Sequence, residues 1–191
     1  MIEKVIDRKN LRLAAQHVKA NKGSAGVDGM GVTALSKHLK LHRDKICSDL
    51  VLGKYRPQPI LGVEIPKSNG KTRLLGIPTV IDRTLQQAVS QVIMLRFESE
   101  FRPHSYGFRP NRNAQQAVQQ AQAYINEGYQ HIVDIDLKNF FDEVDHCKLM
   151  QLLHSKVKCP ITLRLVRKWL RAPMQAGSPQ GRKHDLSFPQ G

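Results

Sequence analysis

The chain has 191 residues, of which 30 are Lys or Arg and 16 are Asp or Glu, so its formal net charge is +14. That charge favours polyanionic partners, and a hydrophobic share of 40% argues against a chain that is disordered throughout. No apolar run approaches the roughly 18 residues of a membrane span, and the N-terminus lacks the apolar core of a signal peptide, so we expect a cytoplasmic protein with no membrane partner.

The first half of the chain alternates predicted helices with loops. Apolar residues at helical spacing predict helices over residues 2–20 and 32–52, with a glycine-rich loop at residues 23–29 between them. Tyr55-Arg56-Pro57 then begins a segment whose two prolines should keep it extended.

A β-hairpin and a buried helix are predicted next. Residues 60–65 and 72–77 have the composition of strands, and Asn69-Gly70 between them is a strong hairpin signal. Thr79 can cap a largely buried helix that continues to about Glu98.

The second half contains a basic loop at residues 102–112, a helix that Asn113 can cap, and an acidic segment. Two further helices are predicted over residues 149–156 and 161–171.

The acidic segment is predicted to be a strand over residues 132–137. Alternation places Asp134 and Asp136 on one face, roughly 7 Å apart for a rise of about 3.3 Å per residue. Such a pair suits Mg²⁺, which takes one or two protein carboxylates and leaves room for substrate phosphates. Acids on the exposed face of an ordinary strand are the alternative.

A basic zone follows the acidic one directly. No acidic residue occurs from His146 to His184, whereas Lys and Arg recur throughout that stretch. A metal site beside a track for phosphates would explain both zones, because metal and track would act on the same polyanion. An acidic turn beside a solvated helix face is the alternative.

The residues after Asp136 resemble the first catalytic motif of reverse transcriptases, and the rest of the chain is similar to the group II intron branch of that family. The matching blocks occur in order: Gly26-Val27-Asp28-Gly29, Tyr55-Arg56-Pro57, Pro66-Lys67 with Lys71 to Pro78, Ser105 to Pro110, and Asp136 to Phe141. Ser187 to Gly191 resembles the G-T-P-Q-G block, with Ser187 and Phe188 in place of Gly and Thr.

The resemblance implies an α+β right-hand polymerase fold, with helical fingers, a β-hairpin and an incomplete palm sheet. Residues 1–112 would form the fingers with an N-terminal extension. Residues 113–191 would form a partial palm with adjoining fingers elements, ending before the family's second catalytic motif, which supplies two more aspartates.

Site roles follow from the same resemblance. Asp136 would be the catalytic ligand of two Mg²⁺ ions, with a backbone carbonyl of Ile135 or Leu137 as a further ligand. Asp134 would be a local structural or electrostatic partner, and Asp142 a turn or capping residue. The residues implied for nucleotide binding are Lys67, Lys71, Arg73, Phe141 and Gln190. Core packing is the alternative for Phe141.

RNA binding is expected from basic residues of the loop and of the last helix, where one helical stripe lies opposite Leu163, Val166 and Leu170. These residues are Arg109, Arg112, Arg164, Arg167, Lys168 and Arg171. Solvation alone is the alternative for the stripe.

The implied function is RNA-directed DNA synthesis from an RNA template, a DNA primer and dNTPs, with intron RNA as a further partner and a homodimer as one arrangement. The fragment alone is expected to lack activity. The competing hypothesis is a non-catalytic RNA-binding or maturase module that assists intron splicing.

Overall fold

The computed structural model describes residues 1–66, 70, 72–137 and 140–176. Within these residues it has seven α-helices, one 3-10 turn and three strands, which confirms the predicted mixture of α and β structure. The elements are α1 Ile2–Ile6, α2 Arg8–Ala20, α3 Leu35–Val51, β1 Ile60–Pro66, β2 Thr72–Ile77, α4 Val80–Phe97, the 3-10 turn Glu98–Glu100, α5 Ala114–Asn126, α6 His146–Lys156, α7 Pro160–Leu170 and β3 Met174–Ala176. None of these helices is long and apolar enough to cross a membrane.

The predicted helix over residues 2–20 is two helices, because Asp7 interrupts it. The Asp7 side chain accepts hydrogen bonds from the N–H groups of Lys9 and Asn10 at 2.9 and 3.1 Å. These are donors that the start of α2 would leave unpaired. The predicted caps of α4 and α5 are confirmed: Thr79 accepts from Asp82 N, and Asn113 forms a capping box with Gln116.

The main core lies where α1, α2, α3, α4 and α7 meet. Its buried members include Val5 of α1, Ala14 of α2, Leu50 of α3, Leu85 of α4 and Leu165 of α7. Burial of such side chains contributes roughly 1.5–3 kcal/mol each for the larger ones. Helix α7 therefore packs with the N-terminal helices although it lies late in the chain.

The sheet has the strand order β2-β1-β3. Strands β1 and β2 form the predicted antiparallel hairpin, from the pair Leu61–Ile77 to the pair Pro66–Thr72. Strand β3 was not predicted, and it pairs with β1 in parallel, with Met174 opposite Ile60.

The predicted strand over residues 132–137 is wrong, because the structure assigns no strand to residues 131–137. Ile132, Val133 and Ile135 are 85%, 82% and 82% exposed. A strand needs ladder hydrogen bonds and a covered apolar face. The described part of the chain provides neither a neighbouring strand nor a covering layer at this segment.

Helix α6 begins at His146, three residues before the predicted start. Asp145 caps it, accepting hydrogen bonds from the N–H groups of Cys147 and Lys148 at 2.7 and 3.0 Å. These bonds, that from Lys148 first, lower the pKa of the Asp145 carboxyl. Asp142 lies in the turn before this cap, as predicted.

Candidate functional site

A buried carboxylate joins the base of the hairpin to α4 and α7. Asp82 is only 1% exposed, and its Oδ1 accepts hydrogen bonds from Tyr55 Oη at 2.8 Å and Trp169 Nε1 at 3.0 Å. Its Oδ2 accepts from Thr79 Oγ1 at 2.9 Å and from the N–H of Gln58 at 3.1 Å. Four donors offset the large cost of removing a carboxylate from water.

This network fixes the point at which the chain enters the hairpin, because Gln58 lies two residues before β1. Burial first, and then the charge of Asp82, raise the pKa of Tyr55, so its hydroxyl remains a donor at neutral pH. Sequence analysis missed the role of Asp82. The available signal was an acidic residue three positions after the Thr79 cap, directly preceded by the apolar Val80 and Ile81.

The glycine-rich loop packs against the start of α4. A Cβ atom on Gly26 would lie 2.8 Å from both the Cα and the N atom of Thr79, so a side chain there meets backbone. Arg83 NH2 donates to the carbonyl of Ser24 at 2.5 Å, and burial lowers the pKa of this guanidinium. The loop thus lies on the same helix turn that carries the Asp82 network.

Arg73 is the one predicted nucleotide-binding cation of the hairpin that lies among the described residues. Arg73 is exposed on β2, opposite Ile65 of β1. Lys67, Lys71 and Gln190, the other predicted polar contacts of the nucleotide, lie outside the described residues.

The acidic segment is open to solvent. Asp134 and Asp136 are both exposed, and Asp136 Oδ1 accepts a hydrogen bond from the N–H of Leu137 at 2.9 Å. The centre of the Phe141 ring lies 5.5 Å from the centre of the Phe140 ring. Phe141 is 85% exposed, so it is not packed in a core of described residues. The carboxylate of Asp136 and the ring of Phe141 are therefore both accessible.

The donors of this segment fit a magnesium site only in part. Carboxylate oxygen is a suitable ligand, and Mg²⁺ accepts as few as one or two protein carboxylates. Among the described residues, no three His, Cys, Asp or Glu side chains gather as a metal site. Asp136 can thus supply one ligand, and further ligands must come from water, substrate phosphates or other carboxylates.

Comparison with known proteins decides the family. Residues 65–191 match the family described as reverse transcriptase (RNA-dependent DNA polymerase). The chain belongs to the reverse transcriptase family. The matched region includes Arg73, Asp82, Asp136, Phe141 and the whole of α7.

Three relatives align with most of the length of the chain. Identity is 33% over 165 residues to Protein YkfC of Escherichia coli (strain K12), covering 83% of the chain and 43% of that protein. Identity is 32% over 179 residues to the group II intron-encoded protein LtrA of Lactococcus lactis subsp. cremoris, covering 88% of the chain and 30% of that protein. Identity is 25% over 185 residues to the COX1/OXI3 intron 2 protein of Saccharomyces cerevisiae, covering 97% of the chain and 21% of that protein. The chain therefore spans less than half the length of these relatives, and the group II intron type is supported.

In the basic loop of the chain, Arg109 is occupied by internal contacts. Its Nε and NH2 donate to Glu98 Oε1 at 3.1 and 2.7 Å, and its NH1 donates to the carbonyls of Arg102 and Ser105 at 2.8 and 2.9 Å. RNA binding by Arg109 stays a prediction, and the structure gives the residue a role in shaping the loop. Arg112 is exposed, with its guanidinium 5.4 Å from the ring centre of Tyr106.

The predicted basic stripe of α7 divides into two kinds of residue. Arg164, Arg167 and Arg171 are exposed. Lys168 is half-buried, and its Nζ donates to the carbonyls of Gly53 and Tyr55 at 2.8 and 2.7 Å. The stripe is therefore more than a solvated face, because one member holds α7 to the segment before the hairpin.

Proposed function

We propose that this chain supplies the fingers and the first catalytic segment of an RNA-directed DNA polymerase of the group II intron type. The single observation that carries the proposal is the family match over residues 65–191, which contains an accessible carboxylate at Asp136. The relatives are more than twice as long as the region that they share with the chain.

The proposed substrates are an RNA template, a DNA primer and dNTPs, and intron RNA is a proposed partner. Asp136 would be a ligand of the two-ion Mg²⁺ site. When bound, Mg²⁺ supplies charge neutralisation for the incoming phosphates and lowers the pKa of the primer 3′ hydroxyl. A backbone carbonyl of Ile135 or Leu137 would be a further metal ligand. Asp134 would be a local structural or electrostatic partner.

The described residues support complementary roles around this carboxylate. Arg73 is exposed on β2, and its planar guanidinium can bind two phosphate oxygens at once. Phe141 presents an exposed ring that can pack against the sugar of the nucleotide and oppose a 2′ hydroxyl. Lys67, Lys71 and Gln190 complete the proposed nucleotide site. The buried Asp82 network holds the base of the hairpin from which Arg73 projects.

A right-hand arrangement is part of the same proposal. Residues 1–112 would form the fingers with their N-terminal extension, and residues 113–191 the partial palm with adjoining fingers elements. The packing of Leu165 with Val5 and Leu85 supports the assignment of α7 to those adjoining elements. A cytoplasmic location and a homodimer stay predictions.

Primer extension tests the proposal with the complete translation product of the gene. The expected result is Mg²⁺-dependent incorporation of dNTPs on an RNA template, lost when the template or the metal is omitted. Absence of incorporation from a folded product that binds RNA would instead favour the second candidate.

That second candidate is a non-catalytic module that binds intron RNA and assists splicing. The +14 charge and the exposed arginines of α7 favour it. It predicts RNA affinity and splicing assistance that Asp136→Asn leaves unchanged, with an affinity that falls steeply as salt rises.

A further inference from the structure

A groove of about 690 Å³ separates α7 from the segment that follows α3. Six cationic side chains line it and no carboxylate does, within the part of the chain that the structure describes. The six are Lys54, Arg56, Arg164, Arg167, Lys168 and Arg171. Like charges gathered in one concavity repel one another, and an anion bound between them would relieve that repulsion.

The two walls of the groove are held together by internal hydrogen bonds. Lys168 Nζ joins α7 to the carbonyls of Gly53 and Tyr55, and Trp169 and Tyr55 both donate to Asp82 Oδ1. The backbone positions of the two walls are therefore fixed relative to each other, which lowers the ordering cost of binding a ligand.

Helix capping explains some of these cations but not all. Lys168 and Arg164 lie near Gly53, just past the carbonyl end of α3, where positive charge is favourable. Arg167 and Arg171 lie at the carbonyl end of α7 itself, which favours positive charge in the same way, whereas Arg56 lies outside any helix. None of the three forms an ion pair with a carboxylate among the described residues.

The arginines of α7 have the spacing of a phosphate track. Arg164 and Arg167 of α7 and Arg171 at its C-cap are three and four residues apart, and the seven residue steps from first to last correspond to about 10 Å along the axis. One strand of a DNA duplex carries a phosphate about every 3.4 Å of axis, so on that scale the distance corresponds to roughly three phosphate spacings. Arg167 and Arg171 also line the adjoining groove between α6 and α7, where the described lining is again free of carboxylates.

We propose that this groove binds the phosphodiester backbone of RNA, with Arg56 on one wall and Arg164, Arg167 and Arg171 on the other. The inference rests on the proposed function, since it assigns a surface of the polymerase to its nucleic acid. Lys168 acts as a positioning residue that holds the walls, and its ammonium is not a free phosphate contact.

The test measures binding of a fluorescently labelled single-stranded oligouridylate RNA by the 191-residue chain at several KCl concentrations. The groove variant is Arg164→Gln/Arg167→Gln/Arg171→Gln. The control variant, Lys37→Gln/Lys40→Gln/Lys45→Gln, removes the same formal charge from exposed positions of α3. The groove variant should reduce the slope of log affinity against log salt by about 2 to 3, and the control by less than about 1.

Equal changes in the two variants would overturn the proposal, because binding would then depend only on total charge. The exposed positions of the three arginines make unfolding of the groove variant unexpected, and circular dichroism checks it. Arg56→Gln changes an exposed residue outside any helix and should lower the slope by about 1. An unchanged slope in Arg56→Gln would overturn the two-walled site even if the triple variant failed to fold.

Failure of this inference and failure of the proposed function are distinguishable. Asp136→Asn should leave the salt slope unchanged while it stops DNA synthesis by the complete translation product. If the groove variant binds RNA like the control while synthesis depends on Asp136, the groove is wrong and the polymerase stands. If the groove variant shows the reduced salt slope but the complete translation product makes no DNA on an RNA template, the groove is supported and the proposed polymerase function is wrong.

Discussion

Trp169 Nε1 donates a hydrogen bond to Asp82 Oδ1 at 3.0 Å, which joins helix α7 to the first turn of α4. Tyr55 Oη donates to the same oxygen at 2.8 Å. One buried carboxylate thus holds together the segment before the hairpin, the helix after it and the helix that carries the basic stripe. The proposed nucleotide contact at Arg73 and the proposed RNA groove both depend on this point.

Asp82→Asn should destabilise the protein, because an amide offers one acceptor oxygen where the carboxylate satisfies four donors. The expected loss is about 3 kcal/mol in the free energy of unfolding, on the scale of one or two hydrogen bonds to a charged group. Urea unfolding measures it. The control is Asp44→Asn at a side chain that is 95% exposed, where the change should stay within about 0.5 kcal/mol. Equal losses would contradict the network.

Gly26→Ala should also destabilise the protein, because its Cβ would lie 2.8 Å from backbone atoms of Thr79. An overpacked site of this kind costs about 1–3 kcal/mol. Gly31→Ala is the matched control, since a Cβ there meets only Thr33 Oγ1 at 3.9 Å. Thermal unfolding of the two variants compares them, and a Gly26→Ala variant as stable as the control would show that the loop does not pack on α4.

The local elements of this fold could be predicted because their signals are local. Thr79 and Asn113 cap helices through side chains within three residues, and Asn69-Gly70 marks a hairpin whose strands are confirmed. The segment at residues 132–137 was misassigned because alternation indicates a strand only where a partner exists. Strand β3 was missed because three residues held by pairing with β1 carry little signal of their own.

The candidate site divides in the same way. Site roles for Asp136 and Phe141 could be proposed from the sequence, because both belong to one short motif of consecutive residues. The role of Asp82 could not be proposed in this way, because its donors Tyr55 and Trp169 come from distant parts of the chain. For the same reason sequence analysis assigned Lys168 and Arg109 to RNA, whereas the structure shows that both make internal hydrogen bonds.

The Asp145 cap predicts a pH dependence. Its hydrogen bonds lower the pKa of the folded-state carboxyl, so its stabilising effect is present above the unfolded pKa of about 4 and is lost as pH falls through the folded value. Asp145→Ser keeps an oxygen cap without a titrating charge. The difference in unfolding free energy between wild type and variant should therefore shrink between pH 6 and about pH 3. A difference that stays constant over this range would argue against the cap.

Arg73 gives a kinetic prediction for the complete translation product. Arg73→Gln should raise the KM for dNTPs roughly ten- to a hundredfold, because charge-assisted hydrogen bonds to phosphate are each worth about 1.5–3 kcal/mol. Arg73→Lys should recover part of this loss. Arg12→Gln, at an exposed position of α2, should leave the KM unchanged. If Arg73→Gln matches Arg12→Gln, the hairpin does not bind the triphosphate.

The most direct test of the account compares Asp136→Asn with Asp134→Asn. Both side chains are exposed on the same segment, so either change should leave stability nearly unaltered. Mg²⁺-dependent, RNA-templated DNA synthesis by the complete translation product is measured for each. We predict that Asp136→Asn lowers the rate by at least about 100-fold, and that Asp134→Asn keeps most of it. Full synthesis by Asp136→Asn would contradict the assignment of this carboxylate to the metal site.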